Sequence, residues 1–320
     1  MNENLKKEKE DIYYYMKLGR TMEERIEILY KQGRIPGAIY MGRGQEAITV
    51  TTSYLLKEGD VIAPTHRDLI AHLPRGMEPK RILAQCLGKR TGPTKGKDGI
   101  SYMGDLKLGI FTPISMLPDG YPVVTGAALA FKLRKESRVA LGYCGEGATS
   151  RGDFHESLNL ASVQNLPVVF VVINNQFAYS TPVDKEMKIR DVSQRACAYD
   201  IPGISVDGND VMAVYIVAKE AIDRARNGGG PTLIEAKTMR MRGHAGHDPA
   251  KYVPKELLDE WEKKDPIKRF EKHLIQENII DESKMKEIGH RVEAEIEEAL
   301  KFAEESPFPE GHETLEGVYA

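Results

Sequence analysis

Cysteine is scarce in this chain. The three present, Cys86, Cys144 and Cys197, are odd in number and far apart, which argues against a disulfide framework or a structural zinc site. Cys144 closes an apolar stretch and reads as a buried, inert thiol. Charge of one sign is nearly lacking too. Lys+Arg 45 against Asp+Glu 48 leaves a formal charge of −3, so nothing recruits nucleic acid or an anionic membrane. No apolar run approaches the roughly 18 to 20 residues of a membrane span. The polar start MNENLKKEKE does not have the form of a signal peptide, so the expected setting is the cytoplasm. Internal repeats are missing, and no GxGxxG or Walker pattern follows a strand, which disfavours a generic nucleotide-binding protein.

What is there describes a soluble globular protein: 41% hydrophobic and 29% charged residues over 320 positions provide for a sizeable core. Residues 1–10 are charged and expected to fray. Periodicity predicts helices over 11–32, 46–56, 122–135 and 210–227, and short strands over 60–63, 203–206 and 232–237. Residues 88–118, rich in glycine, proline and lysine, predict a long functional or mobile loop. From Pro254 the chain reads as helical through Ala303, with a break at Pro266. The tail after Pro307 is expected to lie on a partner or stay loose. The alternation of strands and helices predicts an α/β fold, a doubly wound, mostly parallel sheet flanked by helices.

The most informative stretch is Gly145-Glu146-Gly147, followed by Asn174-Asn175. Residues 138–144 read as a strand, 145–152 as a glycine-rich turn, and 153–164 as a helix with Phe154, Ser157, Leu158 and Ala161 on one face. Residues 167–173, PVVFVVI, have the continuous apolar pattern of a parallel strand buried on both faces. A carboxylate and an amide therefore stand at neighbouring strand ends. Mg²⁺ prefers hard oxygen ligands, commonly one or two protein groups with substrate phosphates, and a glycine turn before a helix lets backbone approach an anion. His66-Arg67 and the loop after Lys237 also fall at strand ends, where doubly wound sheets bind ligands. In that loop, His244, His247 and Asp248 lie within five residues, but their spacing fits no common zinc pattern.

The stretch GEGATSRGDFHESLNLASVQNLPVVFVVINNQFAYSTP resembles the thiamine diphosphate motif of the alpha subunits of 2-oxo acid dehydrogenase E1 components, and the similarity extends from about Asp11 to about Pro266. The resemblance implies the thiamine diphosphate-binding fold, a single diphosphate-binding α/β domain over 1–320 with helical N- and C-terminal extensions, the latter over 255–320. It implies Mg²⁺ held by Glu146, Asn175 and the Phe177 carbonyl. Glu146 stands where the commonest form of the motif has Asp; branched-chain-type members also carry Glu. The implied cofactor-binding residues are His66, where relatives often carry Tyr, Arg67, Ser115, Leu117, Gly145, Glu146, Gly147, Ala148, Asn175 and His244. His244 is the implied acid/base of acyl transfer, in a loop ordered by Arg240 and Asp248. Some branched-chain members bind potassium at positions that here hold Ile114, Met116, Asp119 and Gly120, so no such site is expected. Ala245 replaces a serine that is phosphorylated in animal relatives, which excludes kinase control there.

The partners so implied are a beta subunit in an α₂β₂ heterotetramer, which supplies the glutamate that touches the aminopyrimidine ring, and the lipoyl domain of an E2 acyltransferase. The implied reaction is decarboxylation of a 2-oxo acid and transfer of the acyl group to lipoate. Two other readings stay open: the alpha chain of acetoin dehydrogenase, and a non-catalytic scaffold relative.

Overall fold

The structure, a computed structural model, describes residues 3–317. In chain order its strands are β1 (Val61–Ala63), β2 (Ala140–Gly145), β3 (Val168–Asn174), β4 (Phe177–Ala178), β5 (Thr181–Pro182), β6 (Gly203–Asp207) and β7 (Thr232–Lys237). Five of them form one sheet in the order β1-β2-β3-β7-β6, all pairings parallel. β4 and β5 make a small antiparallel hairpin just beyond β3. The expected doubly wound α/β sheet is present.

The helices are α1 (Glu3–Lys31), α2 (Glu46–Tyr54), α3 (Pro79–Cys86), α4 (Gly120–Leu133), α5 (Gly152–Val163), α6 (Val183–Glu186), α7 (Val211–Arg226), α8 (Lys255–Glu262), α9 (Pro266–Gln276) and α10 (Glu282–Glu305). Right-handed crossovers explain their distribution. From β1 to β3 the chain steps one way across the sheet, and α4 and α5 cover one face. β6 to β7 steps back, which sends α7 to the other face. Along β3 the alternation is visible directly: Val168, Phe170 and Val172 pack with Tyr121, Val124, Phe154 and Leu158, whereas Val169, Val171 and Ile173 join the core of α1, α2, α7 and α10. Gly142 in β2 is required by this packing, because a Cβ there would lie 2.9 Å from Val124 and 3.0 Å from Tyr121.

Caps set several helix starts. Asp210 accepts from Met212 N and Ala213 N, Asp265 from Ile267 N and Lys268 N, and Asp281 from Lys284 N, each satisfying otherwise orphaned N–H groups. Pro266 fills the first position of α9, where its missing N–H costs nothing.

Two expectations are corrected. Residues 3–10 are not frayed: α1 begins at Glu3, Tyr215 Oη donates to Glu8 at 2.5 Å, and Lys9 is buried with its Nζ 3.2 Å from His273 Nε2. The long lysine stem covers core while its head finds a polar partner; residues 1 and 2 lie outside the described residues. The tail is not loose up to residue 317 either. Arg90 N donates to the Pro307 carbonyl at 2.9 Å, Lys97 Nζ to the Glu316 carbonyl at 2.6 Å, and Arg90 pairs with Glu313 at 3.1 Å. An acidic tail thus lies on the basic loop of its own chain; residues 318–320 lie outside the description. The 88–118 loop is itself partly zipped to the sheet edge, Ile62 N donating to Gly109 O and Phe111 N to Ile62 O. No helix among the described residues is long and apolar enough to cross a membrane.

Candidate active site

Parallel strands ending on the same side bring their following loops together. Here the loops after β1, β2, β3 and β7 surround a cleft of about 380 Å³. The structure gathers His66, Arg67, Leu117, Gly145, Glu146, Gly147, Ala148, Asn175, Phe177 and His244 around it. Ser115 is not among them. Its hydroxyl lies 2.7 Å from Tyr102 Oη, in an adjoining cavity of about 480 Å³ that shares His66, Leu117 and His244 with the first.

Glu146 and Asn175 are direct neighbours. Asn175 N donates to Glu146 Oε2 at 3.1 Å, and both side chains are buried. Their other oxygens, Glu146 Oε1 and Asn175 Oδ1, have no hydrogen-bond partner among the described residues. Unsatisfied buried acceptors carry a desolvation cost and mark a place where something else binds. Burial pushes the Glu146 carboxyl up to about 7; backbone N–H donors and Arg240 oppose the shift, and Glu186 adds to it. Two hard oxygens, one of them anionic once the carboxyl has lost its proton, with a glycine turn beside them are a donor set that suits Mg²⁺. The preceding Asn174 is used differently. Its amide donates to buried Glu235 at 2.7 Å and fastens the strand end to β7.

The Phe177 carbonyl accepts from Arg240 Nη1 at 3.1 Å. Arg240 Nη2 donates to the Tyr179 carbonyl and to Tyr252 Oη, at 2.6 and 2.7 Å, so one buried guanidinium shapes the turn after Asn175. Asp248 braces the facing loop by accepting from His244 N, Ala250 N and Tyr252 Oη. Both residues hold the cleft's wall, Arg240 through the turn after Asn175 and Asp248 through the loop that carries His244.

Arg67 is buried, donating to the carbonyls of Met41 and His244 at 3.3 and 2.9 Å. Burial, followed by Arg240, pulls its pKa down to about 10, so it stays cationic at neutral pH. His66 and His244 stand beside it with ring centroids 6.0 Å apart, and Tyr40 packs on both. Burial first, then the Arg67 charge, holds His66 at about 3 and His244 at about 4. Two neutral imidazoles therefore face a fixed cation, each able to donate one hydrogen bond and accept another without adding charge.

Several cleft residues were not foreseen. Gln45, Tyr179 and Glu186 line it, and Tyr40 and Tyr102 line the adjoining cavity. Gln45 lies only one residue before a foreseen helix, but no local pattern distinguishes it from a solvated cap. Tyr179 follows Phe177 by two positions, and the alternation within that hairpin was its only signal.

The family model described as dehydrogenase E1 component matches residues 14–312. The chain is 39% identical over 315 residues to the alpha subunit of acetoin:2,6-dichlorophenolindophenol oxidoreductase of Bacillus subtilis (strain 168), covering 98% of this chain and 94% of that protein. It is 35% identical to the pyruvate dehydrogenase E1 component subunit alpha of Porphyra purpurea, covering 97% and 92%. To the 2-oxoisovalerate dehydrogenase subunit alpha of Bacillus subtilis (strain 168) it is also 35% identical, covering 97% and 94%.

Proposed function

We propose a specific role for this chain, which belongs to the dehydrogenase E1 component family: it is the alpha subunit of an E1 component that decarboxylates a 2-oxo acid and passes the acyl group to the lipoyl group of an E2. The observation that carries the reading is the pair of unpartnered buried oxygens, Glu146 Oε1 and Asn175 Oδ1, on residues joined by the bond from the Asn175 backbone N–H to Glu146 Oε2. Enzymes of this family depend on thiamine diphosphate. When bound, that cofactor supplies the electron sink for breaking the bond next to the substrate carbonyl.

This chain's residues contribute binding, orientation and proton control. Glu146 and Asn175, joined by the Phe177 carbonyl, would hold Mg²⁺ once Arg240 shares or yields that carbonyl. Arg67 and the Gly145–Ala148 turn would meet the diphosphate, a fixed fork of donors being suited to phosphate oxygens. His66, Leu117 and His244 line both cavities, so they would border the thiamine end, with Ser115 on the adjoining cavity's wall. Neutral His244, positioned by the Asp248 contact to its backbone, serves as acid/base of acyl transfer. The beta subunit completes the site with the glutamate that faces the aminopyrimidine ring.

Acetoin cleavage is a second reading, favoured by 39% identity to the acetoin relative against 35% to the pyruvate and 2-oxoisovalerate relatives. Assays of the complex reconstituted with its beta chain on pyruvate, branched-chain 2-oxo acids and acetoin, side by side, separate the two. Turnover of a 2-oxo acid with lipoamide as acceptor supports the first; turnover of acetoin alone overturns it.

A further inference from the structure

Gln45 is buried at 1% exposure and lines the same cleft as Glu146 and Asn175. Its Oε1 faces Asn175 Nδ2 at 3.5 Å, and its own Nε2, also buried, has no partner among the described residues. A contact of that length is weak, but it gives the Asn175 amide a direction: with Nδ2 toward Gln45, Oδ1 is turned away from it and, like Glu146 Oε1, has no partner among the described residues. A buried amide with two unused N–H donors beside an anion-binding turn is itself a donor site waiting for an acceptor.

The backbone under Gln45 is fixed from several directions. Gln45 N donates to the Gly42 carbonyl at 2.9 Å, and Gly42 N donates to both oxygens of buried Glu23 at 3.0 Å. Gly44 N donates to Glu46 Oε2 at 2.9 Å, while Arg20 holds the other Glu46 oxygen. Thr238 Oγ1 donates to the Gly44 carbonyl at 2.8 Å, and Gly44 adopts φ +94° where a Cβ would lie 2.8 Å from Met241 and 3.0 Å from the Met239 carbonyl. A side chain on so constrained a segment is pre-organised, which is how sites hold ligating groups in place.

We propose that Gln45 is a further residue of the metal and diphosphate site: Oε1 positions the Asn175 amide with its oxygen toward the cation, and Nε2 donates to an oxygen of the diphosphate. The inference rests on the assignment of the cleft given under the proposed function. The two can fail separately. Glu146→Ala tests the assignment, because cofactor affinity unchanged in that variant removes the site itself.

The Gln45 inference is tested in the reconstituted α₂β₂ complex by calorimetry with thiamine diphosphate and by the spin-resonance signal of Mn²⁺ at saturating thiamine diphosphate. Gln45→Met, similar in shape but with neither amide group, is expected to weaken both ligands, the diphosphate by roughly ten- to hundredfold. Gln45→Glu keeps an oxygen toward Asn175 and removes the donor. Measured at pH 8, it is expected to keep or tighten Mn²⁺ binding while weakening thiamine diphosphate by a similar factor. That split is not what a general loosening of the loop would produce. Affinities within twofold of the parent for both variants overturn the proposal, and so does a parallel loss of both ligands in Gln45→Glu.

Discussion

The two ends of the sheet each bury a carboxylate, and they treat it in opposite ways. At the amino end Asp60, 0% exposed, receives Arg226 through two nitrogens at 3.1 and 2.6 Å, with backbone N–H groups of Val139 and Lys57 at 2.8 Å. At the carboxyl end Glu146, 1% exposed, holds one backbone N–H of Asn175 and leaves Oε1 unpartnered among the described residues. The first is a closed structural joint between β1 and α7. The second leaves an acceptor for a ligand, and the raised pKa of Glu146 records the cost of keeping it so. Equal burial thus accompanies a fully partnered carboxylate at one end of the strands and a partly open one at the other.

Exchanging the carboxylates for alanine is the strongest way to break that contrast. Glu146→Ala is expected to abolish turnover and weaken cofactor binding by about 100-fold or more, beyond what loss of an outer-shell partner causes, while the thermal midpoint of the ligand-free chain is kept or raised. Asp60→Ala is expected to do the reverse. Leaving Arg226 buried without its partner costs roughly 3 to 5 kcal/mol of stability in urea unfolding, with cofactor affinity unchanged in the protein that remains folded. If Glu146→Ala destabilises as much as Asp60→Ala, the two ends do not differ in kind.

Gly142, between the ends, sharpens the comparison. The Cβ of Gly142→Ala would press on Tyr121 and Val124, so the expected loss is about 1 to 3 kcal/mol of overpacking, again without effect on cofactor affinity.

Glu23 is an intermediate case and gives the smallest effect. It accepts two contacts from Gly42 N, and burial nevertheless pushes it up to about 8 from 4.5. Between those values the folded chain keeps a proton that the unfolded chain has released. Its contribution to stability is therefore complete below about pH 4.5 and declines as pH rises toward 8. Urea unfolding of the ligand-free chain at pH 5 and pH 8 should show a larger fall for the parent than for Glu23→Gln. An equal fall in both contradicts the assignment of the proton to Glu23.

The legible parts of the molecule were those whose signal is local. PVVFVVI announced β3 because both faces of that strand are buried, and Gly145-Glu146-Gly147 with Asn174-Asn175 announced two adjoining strand ends. Chemistry carried by distant loops was harder to read. Gln45 and Tyr40 reach the two cavities through a segment held by Glu23, Glu46 and Thr238, contacts that only the folded chain creates. The charged start of α1 looked solvated because lysine and glutamate usually are, yet Lys9 and Glu8 are held by His273 and Tyr215. The acidic tail looked unattached for the same reason, its basic counterpart being about two hundred residues earlier in the chain.

The proposed function depends on Glu146 and Asn175 sharing one cation. A crystal of the α₂β₂ complex grown with Mn²⁺ and thiamine diphosphate, its ion located by anomalous scattering, tests this directly. The expected result is a single ion about 2.1 Å from Glu146 Oε1 and Asn175 Oδ1, with diphosphate oxygens on its open side. An ion held elsewhere, or diphosphate bound while both oxygens remain unligated, would contradict it.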